Sequence, residues 1–147
     1  METKVREMLN RKGWDLYSIE PEATVYDAIF KMDELDIGAL VVLDGSDLAG
    51  ILTERDYMKR IALEGRSSQT TSVQTIMTRD VVCVDPDYTV RESMAIMTDV
   101  RCRHLPVIKN GLASGLVSIG DCVQHLTRDL RIEIRHLKDF ITSRYPC

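Results

Sequence analysis

GILTERD, residues 50–56, and GLVSIGD, residues 115–121, decide the architecture. Both run glycine, two apolar residues, a hydroxyl, two variable positions and an aspartate. They start at 50 and 115, an offset of 65 that holds without a gap from Tyr17/Val82 to Asp56/Asp121. Pro21/Pro86, Thr24/Thr89, Val25/Val90, Met32/Met97, Leu40/Leu105 and Val42/Val107 are identical across it, and Asp27/Glu92 and Thr53/Ser118 keep chemical type. One unit is therefore written twice. Upstream, VREMLNR (5–11) resembles VQTIMTR (73–79) at an offset of 68, so the first copy carries three extra residues near Gly13, Trp14 and Asp15.

Each copy has the same order of elements. A short extended segment (LYSIEP; VVCVDP) meets a proline, and Thr24 or Thr89 then stands three residues before an acid, a helix start. Val25, Ala28, Ile29, Met32 and Leu35 share one helical face, as do Val90, Met94 and Met97. ALVVL and HLPVI predict strands that turn back through Asp44–Asp47 and Lys109–Gly111 into GILT and GLVS. Pro106 lacks an N–H, which puts its strand at an edge or a bulge. After each aspartate a second helix begins, with Tyr57, Met58, Ile61 and Ala62 or Cys122, Val123 and Leu126 as its apolar residues. The methionines at helical spacing, Met32, Met58, Met94 and Met97, read as core, and Trp14 as edge packing.

The chain thus divides into a first repeat over 1–64, a polar linker over 65–72, a second repeat over 73–130 and a helical extension over 131–147. The fold class is α/β (α+β), two tandem β-α-β-β-α repeats. The stripe of Leu126, Leu130, Ile134, Leu137 and Ile141 needs a partner surface, in the same chain or in a second subunit.

Composition narrows the function. The chain has 147 residues, 44% of them apolar and 29% charged, which describes a globular protein with one shared core. A net charge of −4 gives no global attraction to nucleic acid or to an anionic membrane, so any anion site must be local. No apolar run reaches the roughly 18 residues of a membrane span and the start lacks a signal peptide's apolar middle, which predicts a cytoplasmic protein. Cys83, Cys102 and Cys122 sit in apolar segments and read as reduced thiols, leaving Cys147 free to react. Cys102 and His104 share a strand face, but no further Cys or His falls at ligand spacing, so no metal is expected. Phosphate-loop, dinucleotide and hydrolase motifs are absent from the sequence, and a duplicated aspartate suits two binding sites better than a catalytic dyad. The chain is read as a non-enzyme without a catalytic cofactor.

The heptad itself has two readings. Thr53-x-x-Asp56 and Ser118-x-x-Asp121 are capping boxes, which need no ligand. An aspartate at a helix start can equally accept two ribose hydroxyls while the hydroxyl and free N–H groups beside it face a phosphate. The two roles can coexist, because a carboxylate has several lone pairs.

Two β-α-β-β-α copies, with G-apolar-apolar-[T/S]-x-x-D after the hairpin and RHLPV before it, resemble a tandem pair of CBS domains, the Bateman module, over about residues 5–130. The resemblance implies pseudo-twofold packing of the copies and two clefts for adenosine nucleotides such as AMP, ADP, ATP or NAD. It also implies a homodimeric regulator acting on a protein target in trans. A crossed arrangement follows from it: the first cleft would join Ile51, Thr53, Arg55 and Asp56 to Thr78, Asp80, Val82, Cys102 and Arg103, while His104 reads as a polar contact or a core-edge histidine. The second would join Leu116, Ser118, Gly120 and Asp121 to Lys12, Tyr17, Ile37, Gly38 and Ala39.

The clefts should differ. The dense basic cluster Arg101-Cys-Arg-His104 has Asp36-Ile-Gly-Ala39 as its counterpart, and Arg55 stands where the other copy has Gly120. Arg55 either grips a phosphate or fills its own cleft. The alternative function is an interaction module without a ligand, using the C-terminal helix to dimerise.

Overall fold

The computed structural model describes residues 2–128. In chain order its elements are α1 (Val5–Lys12), β1 (Ser18–Ile19), α2 (Val25–Leu35), β2 (Ala39–Asp44), β3 (Asp47–Thr53), α3 (Glu54–Tyr57) running into a π-helical turn (Met58–Ala62), α4 (Val73–Ile76), α5 (Val90–Val100), β4 (His104–Lys109), β5 (Leu112–Ser118) and α6 (Ile119–Thr127). The helical extension expected over 131–147 and the thiol of Cys147 lie outside the described residues.

The repeated sequence produces repeated local structure. Thr24 Oγ1 accepts from the Asp27 N–H at 3.1 Å, and Thr89 Oγ1 accepts from the Glu92 N–H at 3.0 Å, opening α2 and α5. Both helices stop at matched left-handed residues, Asp36 (φ 53°) and Arg101 (φ 56°). Both hairpins turn through two residues, and both carry an irregularity at the same place, after Val42 and after Val107.

One element differs. The first strand of the second repeat shrinks to a single parallel bridge, Val84 with Val107, where the first repeat pairs Ser18 with Val41 and Ile19 with Val42. Pro106 is the reason. It occupies the place of Val41, whose N–H donates to the Tyr17 carbonyl at 3.2 Å, and a proline has no N–H to donate. Of the two places expected for Pro106, the edge is the one found: β4 pairs with β5 in a two-stranded sheet, and the irregularity falls one residue after the proline.

Two hydrophobic clusters form, and each borrows from the other repeat. Val5, Met8 and Leu9 of α1 pack with Val84, Val90, Met97, Leu105 and Val107 of the second repeat. Val73, Ile76 and Met77 pack with Val25, Ala28, Met32, Leu40 and Leu52 of the first. Trp14 packs at the edge of the α1 cluster, as expected, with its Nε1–H donating to Asn10 Oδ1 at 2.7 Å. Two expected core residues are not core: Met58 is 53% and Leu35 37% exposed. Leu35 closes α2 at its solvent end, and Met58 opens the π turn, whose wider winding breaks the spacing from which a buried position was read.

Candidate ligand site between the repeats

The chain reaches the site through a close approach. A Cβ at Gly50 would lie 2.6 Å from the Thr78 carbonyl oxygen, so only glycine lets the segment after α4 lie against β3 there. Ile51 and Thr78 then exchange backbone hydrogen bonds at 3.0 and 2.9 Å. That bridge brings Thr78 Oγ1 to 3.2 Å from Asp56 Oδ1.

Asp56 is also a cap. Its Oδ2 accepts from the Thr53 N–H at 3.0 Å, and its own N–H donates to Thr53 Oγ1 at 3.3 Å. Capping thus engages one carboxylate oxygen, while the other faces Thr78. A cavity of about 780 Å³ opens over this carboxylate, in the size range of small-molecule sites. Ile51, Thr53, Arg55 and Asp56 line it from the first repeat, and Thr78, Asp80, Val82, Cys102, Arg103 and His104 line it opposite. The nine residues assigned to the first cleft from the sequence therefore lie around one space, with His104 beside them. Arg55 lines that space and does not fill it.

Glu54, Val81 and Val100 escaped the sequence reading, as did three consecutive lining residues, Met58, Lys59 and Arg60. A regular helix would spread three consecutive residues over roughly 200°. Here they belong to the π turn, which no periodicity in the sequence signals.

The pseudo-equivalent position is built differently. Asp121 Oδ2 accepts from the Ser118 N–H at 2.9 Å, and the Asp121 N–H donates to Ser118 Oγ at 3.0 Å, the same cap. Lys12 Nζ, however, donates to Asp121 Oδ2 at 2.5 Å and to the Leu116 carbonyl at 2.8 Å. Burial works to raise the Asp121 pKa, but the Lys12 ammonium and the Ser118 donors outweigh it and hold the carboxyl below its usual range. Lys12, Leu116, Ser118 and Asp121 thus meet, joined by a cation from the chain itself. Gly120, beside them, is exposed. Ala39 is buried and Tyr17 is 41% exposed; Ile37 and Gly38 line a separate acidic cavity of about 480 Å³ with Asp33, Asp36 and Glu54, and Gly38 also borders the larger one.

His104 stands between the two positions. Burial, followed by Lys12 and Arg103, pushes its pKa down against the opposing pull of Asp121 and Glu54, so the ring is neutral at pH 7. Burial raises the Cys102 thiol, which is therefore protonated in the cavity wall. No helix among the described residues is long and apolar enough to cross a membrane.

Comparison with known proteins agrees with this architecture. A CBS-domain protein of Arabidopsis thaliana, CBSX3, mitochondrial, is 44% identical over 127 residues, which cover 83% of this chain and 62% of that protein's length. Among solved structures, a CBS-domain protein of Burkholderia ambifaria MC40-6, named for a signal-transduction role, is 46% identical with a TM-score of 0.83, covering 86% of this chain and 96% of its own. The CBS-domain protein ATU1752 of Agrobacterium tumefaciens is 40% identical with a TM-score of 0.80, covering 84% and 98%. The family model of the CBS domain matches twice, at residues 5–63 and 73–128. With both repeats matched and the same fold in these relatives, the chain belongs to the CBS-domain family, as a tandem pair of CBS domains.

Proposed function

We propose that this chain is a regulatory module that binds an adenosine nucleotide in the cleft lined by Asp56. The observation that carries the reading is the state of the two aspartates. Asp56 Oδ1 faces an open cavity with only a hydroxyl beside it, whereas Asp121 is held by Lys12. A ribose can offer its two hydroxyls to the first carboxylate, whereas the second already has an ammonium sharing its capped Oδ2 and neutralising its charge.

The rest of the cavity suits the nucleoside. Because Pro106 cannot donate, the Val82 carbonyl lacks the partner that Val41 gives Tyr17, and a carbonyl in that position can accept from the amino group of adenine. Ile51, Met58, Val82 and Val100 supply apolar faces for a ring. A nucleotide touching both repeats stabilises one relative orientation over another, and only that differential affinity can be passed to a partner protein.

Titration calorimetry with AMP, ADP, ATP and NAD tests the reading. One nucleotide per chain is expected, and Asp56→Asn, which keeps the shape of the cap, should weaken binding about tenfold or more. No heat with any of the four, or equal affinity in Asp56→Asn, would sink it. A further observation favours self-association: Tyr26 and Phe30 are 47% and 53% exposed and stack on α2 with ring centroids 6.5 Å apart. We infer a homodimer through this face, acting on a protein target in trans. Light scattering of Phe30→Ser should then report a smaller particle than the parent chain.

A further inference from the structure

The cavity gathers cations from both repeats. Arg55, Lys59, Arg60, Arg101 and Arg103 all line it, against the carboxylates of Glu54, Asp56 and Asp80. None of the five cations makes a side-chain hydrogen bond or ion pair among the described residues. Elsewhere Arg6, Lys12, Arg66 and Arg91 have carboxylate partners. Five cations against three carboxylates leave a local excess of positive charge in a chain of net charge −4.

The same positions in the other repeat lack this charge. At the offset of 65, Arg55, Lys59 and Arg60 correspond to Gly120, Gln124 and His125, while Arg101 and Arg103 correspond to Asp36 and Gly38. A structural need of the fold would place cations in both copies. The π turn adds to the asymmetry, since it aligns Lys59 and Arg60 with the cavity while α6 continues as a regular helix.

Resting on the nucleotide reading above, we propose that the ligand of this cleft carries a polyphosphate chain, a nucleoside triphosphate in preference to a monophosphate, with Lys59 and Arg60 holding its distal phosphates. Arg101 and Arg103, on the opposite wall, meet the phosphate chain from the second repeat. Each charge-assisted contact to a distal phosphate adds affinity that AMP cannot collect.

Calorimetry on the full chain with adenosine, AMP, ATP and inorganic tripolyphosphate, repeated with Lys59→Gln/Arg60→Gln, tests the proposal. Both positions are exposed, and a melting curve checks that the variant is folded. ATP should bind roughly tenfold or more tightly than AMP, and the double variant should weaken ATP far more than AMP and so erase that preference. Equal affinity for AMP and ATP, or a preference that survives in the variant, overturns the polyphosphate assignment and leaves the nucleotide reading standing. Tripolyphosphate binding as tightly as ATP supports the cation clamp and removes the adenosine reading. An absence of binding by all four overturns both.

Discussion

Two aspartates in the same local sequence have acquired different surroundings through one residue. Position 12 is lysine, and its counterpart at the offset of 68 is Asp80. Lys12 brings an ammonium to the capped Oδ2 of Asp121, while Asp56 keeps its Thr53 cap and meets only the Thr78 hydroxyl besides. The Lys12–Asp121 pair is partly exposed, with side-chain accessibilities of 38% and 20%, so its net contribution is about 1 kcal/mol after solvent screening. The sign of its pH dependence is fixed by Asp121, whose folded pKa lies below the ordinary aspartate value of 3.8. Its stabilisation is present above the unfolded value and is lost as pH falls through the folded one. Melting temperature should therefore drop below about pH 4 in the parent, and Lys12→Met should melt a few degrees lower at pH 7 with a shallower acid limb. Parallel curves for the two proteins would show that the pair carries no such linkage.

At the scale of elements, a glycine and a proline set the site. Gly50→Ala would drive a methyl group into the Thr78 carbonyl at 2.6 Å, and the strain should cost about 1–3 kcal/mol in chemical denaturation and displace Thr78 from Asp56. Gly115→Ala meets the end of a flexible side chain, Leu9 Cδ1, at 3.1 Å and should cost less. Pro106→Val restores an N–H to the strand and should lengthen the parallel pairing. If Val82 reads adenine, the variant should also bind nucleotide about twofold to tenfold more weakly by calorimetry, the worth of one neutral hydrogen bond.

These elements show what the sequence made legible. The caps at Thr24, Thr53, Thr89 and Ser118 were readable because a cap is a contact between residues three apart. The lining of the first cleft followed from duplication and resemblance, since neither Thr78 nor Arg103 is near Asp56 in the chain. Lys59 and Arg60 could not be read, because a π turn is decided by packing around it. Nor does any local pattern disclose that Lys12, 109 residues away in sequence, reaches Asp121.

For the whole molecule the governing fact is the crossing of the cores. Leu9 is fully buried in the cluster of the second repeat, and Ile76 is 1% exposed in that of the first. Leu9→Ala should cost about 2–5 kcal/mol and lower the melting temperature of the entire chain in one transition, as measured by calorimetric scanning. Separate melting of the two repeats would contradict a shared core. The exchange also bears on what happens when the chain is divided. A fragment spanning 66–128 keeps α4, the sequence counterpart of the α1 it has lost. Two such fragments can swap these short helices and rebuild the parent shape from identical pieces, so the severed half should travel in solution as a pair, at twice its own mass.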